Sequence, residues 1–317
     1  MKHYLALDCG GTKVAAVLYD ENMTRRAVCV SGSVRPNTTS DGLIRQHTED
    51  LINGLGLAGL EVEEYGGVCE PRLIEAIRSV CRLGRAAPSG EAEAGLAAAG
   101  IFGDGLLALC GTGATMFARV GGKTYVAGGY GAAVADEGSG YYVGRAGLIA
   151  AIRDSEDRGE HTSLTQMIPV HFGYDGPEEM RSAIFSIYGR KDRSPVASVA
   201  GCAPVVVRAA AQGDAVAASI LEDAGRLLGL QMAYLIRKNS LPGSLPLAIS
   251  GSMWRGNPIM LNAFRDALRE RSSRKEIVIP RLEPVLGVLA RRIYETRGAF
   301  KEEDVRFLLS EYPEFGL

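Results

Sequence analysis

Residues 3–20 read His-Tyr-Leu-Ala-Leu-Asp-Cys-Gly-Gly-Thr-Lys-Val-Ala-Ala-Val-Leu-Tyr-Asp. Two apolar runs are joined by Gly10 and Gly11, which predicts a β-hairpin whose turn has too little side chain to pack anything of its own. Glycines at such a turn let backbone N–H groups approach a ligand that a Cβ would block, and a nest of amides suits phosphate oxygens. Asp8, at the strand end, is placed to hold a hydrated Mg²⁺. The spacing is not that of a Walker loop, and strand-turn-strand is not the strand-turn-helix of a dinucleotide fold. On these residues alone, a tight hairpin with an exposed Asp remains the other reading.

A second glycine hairpin follows. Residues 105–110 form a buried-type strand, Gly111-Thr112-Gly113-Ala114 a turn, and residues 115–120 a return strand. Residues 123–127 supply a third strand after Gly121-Gly122. A third glycine element, Leu247-Ala248-Ile249-Ser250-Gly251-Ser252-Met253-Trp254, is again strand then turn, ahead of a helix over 257–269.

These repeated elements resemble the superfamily of sugar kinases, actin and heat-shock chaperone ATPases, in which two phosphate hairpins face each other and a third turn lies under the adenosine. The run Gly128-Gly129-Tyr130-Gly131-Ala132-Ala133-Val134-Ala135-Asp136-Glu137-Gly138-Ser139 is similar to a Gly-Gly-Trp-Gly-His…Gly-Asp-Glu-Gly-Ser segment of N-acetylglucosamine kinases. Those kinases share their core with the ATPases that activate benzoyl-CoA reductases and hydroxyacyl-CoA dehydratases. Ala210-Ala211-Gln212-Gly213-Asp214 resembles the family's Ala-x-x-Gly-Asp-Pro, and Pro284-Val285-Leu286-Gly287 its last adenine-side motif. The resemblance spans nearly the whole chain, in order. It implies an α/β protein with two ribonuclease H-like (actin-like ATPase) domains around a nucleotide cleft.

The resemblance also assigns roles. ATP and Mg²⁺ are the implied cofactors, with Asp8 toward the metal and Gly10, Gly11, Thr12, Lys13, Thr112, Gly113, Gly251, Ser252 and Gly287 toward the nucleotide. Lys13 also reads as an ordinary exposed lysine. Phosphoryl transfer to a sugar hydroxyl needs a carboxylate to take the hydroxyl proton. The family's Asn-Asp-Ala-x-Ala-Ala-Leu matches Gly90-Glu91-Ala92-Glu93-Ala94-Gly95-Leu96, so Glu91 stands where the base would be, one methylene longer. Glu91 and Glu93 equally read as first-turn acids that complement a helix dipole. The sugar would meet Asn37, Thr112, Gly113 and Asp136. Asn37 also suits a plain turn, and Asp136 a helix cap. Tyr130, Ala132, Ala135 and Ala114 replace the family's Trp, His, Gly and Ser. The implied activity is ATP-dependent phosphorylation of an amino sugar (N-acetylglucosamine-like) or related hexose. The alternatives are an ATPase that activates a partner enzyme, or a nucleotide-binding protein with a decayed site. Homodimerisation is the family's habit.

Composition sets limits. With 317 residues, two cores of ordinary size are affordable, and the expected division is 1–104 and 105–317, the last helix returning to the first domain. A net charge of −2 without a basic stripe argues against nucleic acid as partner. No stretch is apolar enough to cross a membrane, and Met1-Lys2-His3 runs straight into a strand without a signal peptide, so a cytoplasmic protein is expected. Six cysteines without a metal or iron–sulfur spacing read as reduced thiols, which favours a kinase over an electron-transfer activator. Four scattered histidines carry no role.

Alternation of strands with helices is expected throughout. Strands fall near 3–8, 14–19, 26–31 and 65–69, and helices over 41–55, 71–82, 91–99, 138–152, 177–188, 203–211, 215–238, 284–294 and 302–310. Residues 153–160 read as a charged surface loop.

Overall fold

The computed structural model describes residues 1–36, 38–190, 192–271 and 276–317. The apolar runs at the N-terminus form β1 (His3–Cys9) and β2 (Lys13–Asp20), antiparallel with Cys9 opposite Val14. β3 (Arg25–Gly32) adds to β2, with an irregularity in register at Leu18/Tyr19. α1 (Asp41–Leu55) follows, burying Ile44, Thr48, Leu51 and Leu55 at helical spacing and ending on Gly56 in the left-handed region. β4 (Glu61–Val68) lies parallel to β1, α2 (Pro71–Val80) starts on its proline, and β5 (Arg82–Pro88) lies parallel to β4. The first sheet therefore runs β3-β2-β1-β4-β5.

α3 (Glu91–Ala98) leads to the second sheet, β6 (Gly105–Cys110), β7 (Ala114–Val120) and β8 (Lys123–Gly128), all antiparallel. A helical layer follows: α4 (Gly140–Ser155), α5 (Leu164–His171), α6 (Met180–Gly189), α7 (Pro195–Ala200), α8 (Ala203–Ala211) and α9 (Ala215–Lys238). β9 (Leu247–Ser250) then joins β6 in parallel, giving β8-β7-β6-β9. α10 (Pro258–Arg271), α11 (Pro284–Arg297) and α12 (Glu302–Glu311) complete the chain.

Alternation along β1 divides the first core. Leu5, Leu7 and Cys9 face Ile44 and Leu51 of α1 and Leu73 and Ile77 of α2. Tyr4 and Ala6 face the other way, onto Val285, Leu286 and Leu289 of α11 and Leu308 of α12. The end of the chain thus covers a sheet built from its beginning. α3 lies between that layer and the second sheet. A Cβ on Gly287 would stand 2.2 Å from the Ala94 carbonyl oxygen, and one on Gly95 would stand 2.5 Å from Leu107 of β6. All six cysteines are free; burial pushes the Cys9 and Cys202 thiols up to about 12, so they behave as inert apolar side chains.

Five elements differ from expectation. β5 is an edge strand with mostly exposed side chains, so it lacks the apolar signal and exists because β4 offers it a ladder. α5, which holds Pro169, and the six-residue α7 are too short for periodicity to show. The expected helix over 177–188 is a 3₁₀ turn at Pro177–Glu179 followed by α6. Within the expected loop over 153–160, α4 continues to Ser155, and Asp154 accepts bonds from Thr162 N (3.1 Å) and Thr165 Oγ1 (2.5 Å).

Candidate active site

The first turn closes where Gly10 N donates to Lys13 O at 2.9 Å, leaving open space at the Cα of Gly11. Ser33, just past β3, pins this turn: its Oγ donates to Gly10 O at 2.9 Å and its N–H to Thr12 O at 3.1 Å. The second turn is one residue tighter, Gly111 N donating to Gly113 O at 2.9 Å. Here the start of α4 sits on the turn, with Gly140 N on Gly111 O (2.8 Å) and Tyr141 N on Thr112 O (3.1 Å). Ser139 caps that helix by accepting from Tyr142 N at 3.2 Å.

Both turns open on one cavity of about 690 Å³. Gly11, Thr12, Thr112 and Ser252 line it together with Arg255, opposite a wall from α7 and α8. That volume is in the range of small-molecule and cofactor sites. Gly251 shapes the third turn at φ 103; a Cβ there would stand 2.2 Å from Cys110 O, so the turn rests directly on the end of β6. Gly10, Lys13 and Gly113 flank the lining residues in the turns. Gly287 is not on the cavity wall: it is buried in the crossing of α11 with α3. Asn37 lies outside the described residues.

The two first-turn acids of α3 separate in role. Glu93 serves the helix, its Oε2 accepting Gly90 N at 3.1 Å while Oε1 pairs with Arg119 (2.9 Å) and Arg291 (3.3 Å). Glu91 instead pairs with Arg35, Oε1 to Nη2 at 2.5 Å, and Arg35 also donates from Nε to Cys9 O at 2.7 Å. Glu91 is thereby tied to the end of β1, beside Asp8. Burial, and next the charge of Glu91, raise the Asp8 carboxyl from 3.8 to about 6, with Lys13 and Arg35 pulling the other way. Such mutual repulsion of carboxylates is relieved by a cation. Among the described residues no three His, Cys, Asp or Glu side chains cluster as a ligand set, so a metal held at Asp8 would keep waters or ligand oxygens in its shell.

Asp136 is at φ 58, a left-handed conformation that Asp tolerates better than most residues. Its Oδ1 accepts Gly131 N at 3.2 Å, and its Oδ2 stands 2.7 Å from where a Cβ on Gly113 would lie. Burial raises its carboxyl. Asp136 therefore lies over the second turn, while Tyr130 and Val134 just before it are 79% and 87% exposed.

Arg35, Arg255 and Glu283 belong to none of the motifs above. Arg35 lies in the loop after β3, directly before Pro36. Buried Glu283 receives Lys13 Nζ on Oε2 at 2.7 Å and Arg255 Nη2 on Oε1 at 2.9 Å. Its one sequence signal is an acid immediately before the Pro284 that opens α11.

The chain is similar to known proteins in sequence and in fold. The N-acetylmuramic acid/N-acetylglucosamine kinase of Clostridium acetobutylicum is 25% identical over 305 residues, covering 91% of this chain and 97% of that protein. A candidate N-acetylglucosamine kinase of Chromobacterium violaceum superposes with a TM-score of 0.64 at 23% identity, covering 91% of this chain and 98% of the other. Another, from Porphyromonas gingivalis, gives 0.67 at 15% identity, covering 94% and 100%. The two-sheet architecture is the mixed α/β fold of the sugar-kinase and actin-like ATPase proteins. With the family's pattern matched from residue 5 to residue 290, the chain belongs to the BadF/BadG/BcrA/BcrD ATPase family.

Proposed function

We propose that the chain transfers the terminal phosphoryl group of ATP to a hydroxyl of an amino sugar or related hexose. The observation that carries this reading is the pair of glycine turns opening on one cavity, with Asp8 and Glu91 together at the base of the first. The full-length kinase relative supports it.

Backbone amides of Gly11, Thr12 and Thr112 bind the phosphates. Asp8 would hold a hydrated Mg²⁺, which would supply positive charge to offset that of the phosphates. Glu91, oriented by Arg35, accepts the sugar hydroxyl proton. The freed oxygen forms the new bond to phosphorus as the bond to the leaving ADP oxygen breaks. Asp136 and Thr112 orient the sugar. We divide the chain near residue 104 into two lobes, α11 and α12 returning to the first, that close on paired ligands to exclude water. The test is ADP release with and without a panel of sugars. Release stimulated by one sugar supports the kinase; release independent of every sugar replaces it with an ATPase serving a partner enzyme.

A further inference from the structure

Glu283 is not part of any motif above, yet it ties the first glycine turn to the third. Lys13 begins β2 directly after the first glycine turn. Arg255 follows the third turn and lines the cavity with Ser252. One carboxylate receives both, at 2.7 and 2.9 Å. We infer that Glu283 is a positioning residue for the donor's polyphosphate, fixing the Lys13 ammonium and the Arg255 guanidinium beside the phosphate turns. This rests on the reading of the cavity as an ATP site.

The exposures set the direction of the argument. The Glu283 side chain is 6% exposed, whereas those of Lys13 and Arg255 are 45% and 48% exposed. Removing both cations would leave a buried carboxylate unpaired, which is strongly unfavourable, so the two cannot swing out together. Each nevertheless has donors to spare. An ammonium carries three and a guanidinium five, and one of each is used on Glu283. The backbone that carries this carboxylate is held on both sides. Glu283 N donates to Phe315 O at 2.9 Å, Leu286 N donates to Glu283 O at 2.9 Å, and Val285 and Leu286 just beyond are fully buried. The two cations also hold its carboxyl below the usual range although burial opposes them, consistent with a permanent ion triad. Two half-exposed cations on a fixed, buried anchor are preorganised donors, whose ordering cost is met before the ligand arrives.

The experiment compares ATP and AMP binding by calorimetry in the full chain, with steady-state kinetics alongside. Glu283→Gln should weaken ATP at least tenfold while AMP changes less than twofold. The ATP KM should rise in step and kcat fall less than threefold. Glu283→Asp should recover part of the loss. Equal losses for ATP and AMP would make Glu283 a structural tie only. Tighter ATP binding would mean it sequesters the cations; either result overturns the inference. Should Glu283→Gln not fold, Lys13→Met with Arg255→Met carries the test, since both side chains are half exposed. That double variant should lose the preference for ATP over AMP, and an unchanged preference overturns the inference. Failure of the wild-type chain to bind ATP refutes the nucleotide reading as well.

Discussion

The turns at Gly10–Lys13 and Gly111–Gly113 each reverse an antiparallel strand pair through glycines, the first with one residue more, but live in different company. Around the first stand five charged side chains: Asp8, Lys13, Arg35, Glu91 and Glu283. Against the second lie the capped start of α4 and the carboxylate of Asp136. The same device is therefore set for two tasks. At the first turn side chains supply movable protons and charge; at the second, backbone amides and a helix start supply fixed partial charge. Duplicated local structure does not imply duplicated chemistry.

Glu91→Gln probes this division with the largest expected effect. It keeps shape and one acceptor but loses the proton acceptor, so kcat should fall roughly 10²–10⁴-fold with substrate affinity largely kept. Glu91→Asp should retain part of the activity. Asp136→Asn, at the second turn, should act mainly on the sugar KM. A larger kcat loss for Asp136→Asn than for Glu91→Gln would invert the comparison.

Next in size is Gly251→Ala. The new Cβ meets Cys110 O at 2.2 Å in a conformation that disfavours any side chain, so stability should drop by about 2–4 kcal/mol in urea titrations. Gly11→Ala meets nothing within 4 Å and should cost under about 0.5 kcal/mol, yet it should weaken ATP because the methyl enters the cavity. Equal stability costs at the two positions would show that the third turn does not rest on β6 as described.

Asp8→Asn gives a smaller, pH-dependent effect. The folded carboxyl titrates near 6 rather than 3.8, so the fold binds this proton more tightly than the unfolded chain does. Stability from this group is full below about pH 4 and is lost as pH rises through about 6. The Asn variant should match wild type at pH 4 and exceed it by roughly 1–3 kcal/mol at pH 7 without Mg²⁺, while losing turnover. A difference that does not vary with pH would detach Asp8 from the carboxylate cluster.

What was legible in the sequence follows the same contrast. Glycine punctuation and apolar periodicity revealed both hairpins, and Gly251 and Ser252 with them, because these signals are local. α1, α8 and α9 were found at the residues where they stand, their buried positions recurring along one face. β5 was not, since an edge strand borrows its hydrogen bonds from β4 and buries little. The charged company of the first turn was hidden for a related reason. Glu283 meets Lys13 across 270 residues and Arg35 meets Glu91 across 56, and no window along the chain reports such pairs. Gly287 shows the converse: a motif match pointed to nucleotide, whereas the space around its Cα is filled by α3.

The finest test substitutes one serine at each turn. Ser139→Ala removes the cap of α4, whose first amides hold Gly111 and Thr112, and should cost about 1 kcal/mol. Ser33→Ala removes the hydroxyl that donates to Gly10 O and should cost about 0.5–1.5 kcal/mol, with the backbone bond from Ser33 N to Thr12 O remaining. Similar stability losses should carry different kinetic ones. At the second turn a looser helix start weakens fixed dipoles shared by both substrates, so both KM values should rise severalfold with kcat nearly constant. At the first, a displaced Gly10 shifts the strand end that presents Asp8, so kcat should fall severalfold with the sugar KM unchanged. Thermal melts matched to initial rates measure both, and identical kinetic signatures from the two serines would show that the turns share one task after all.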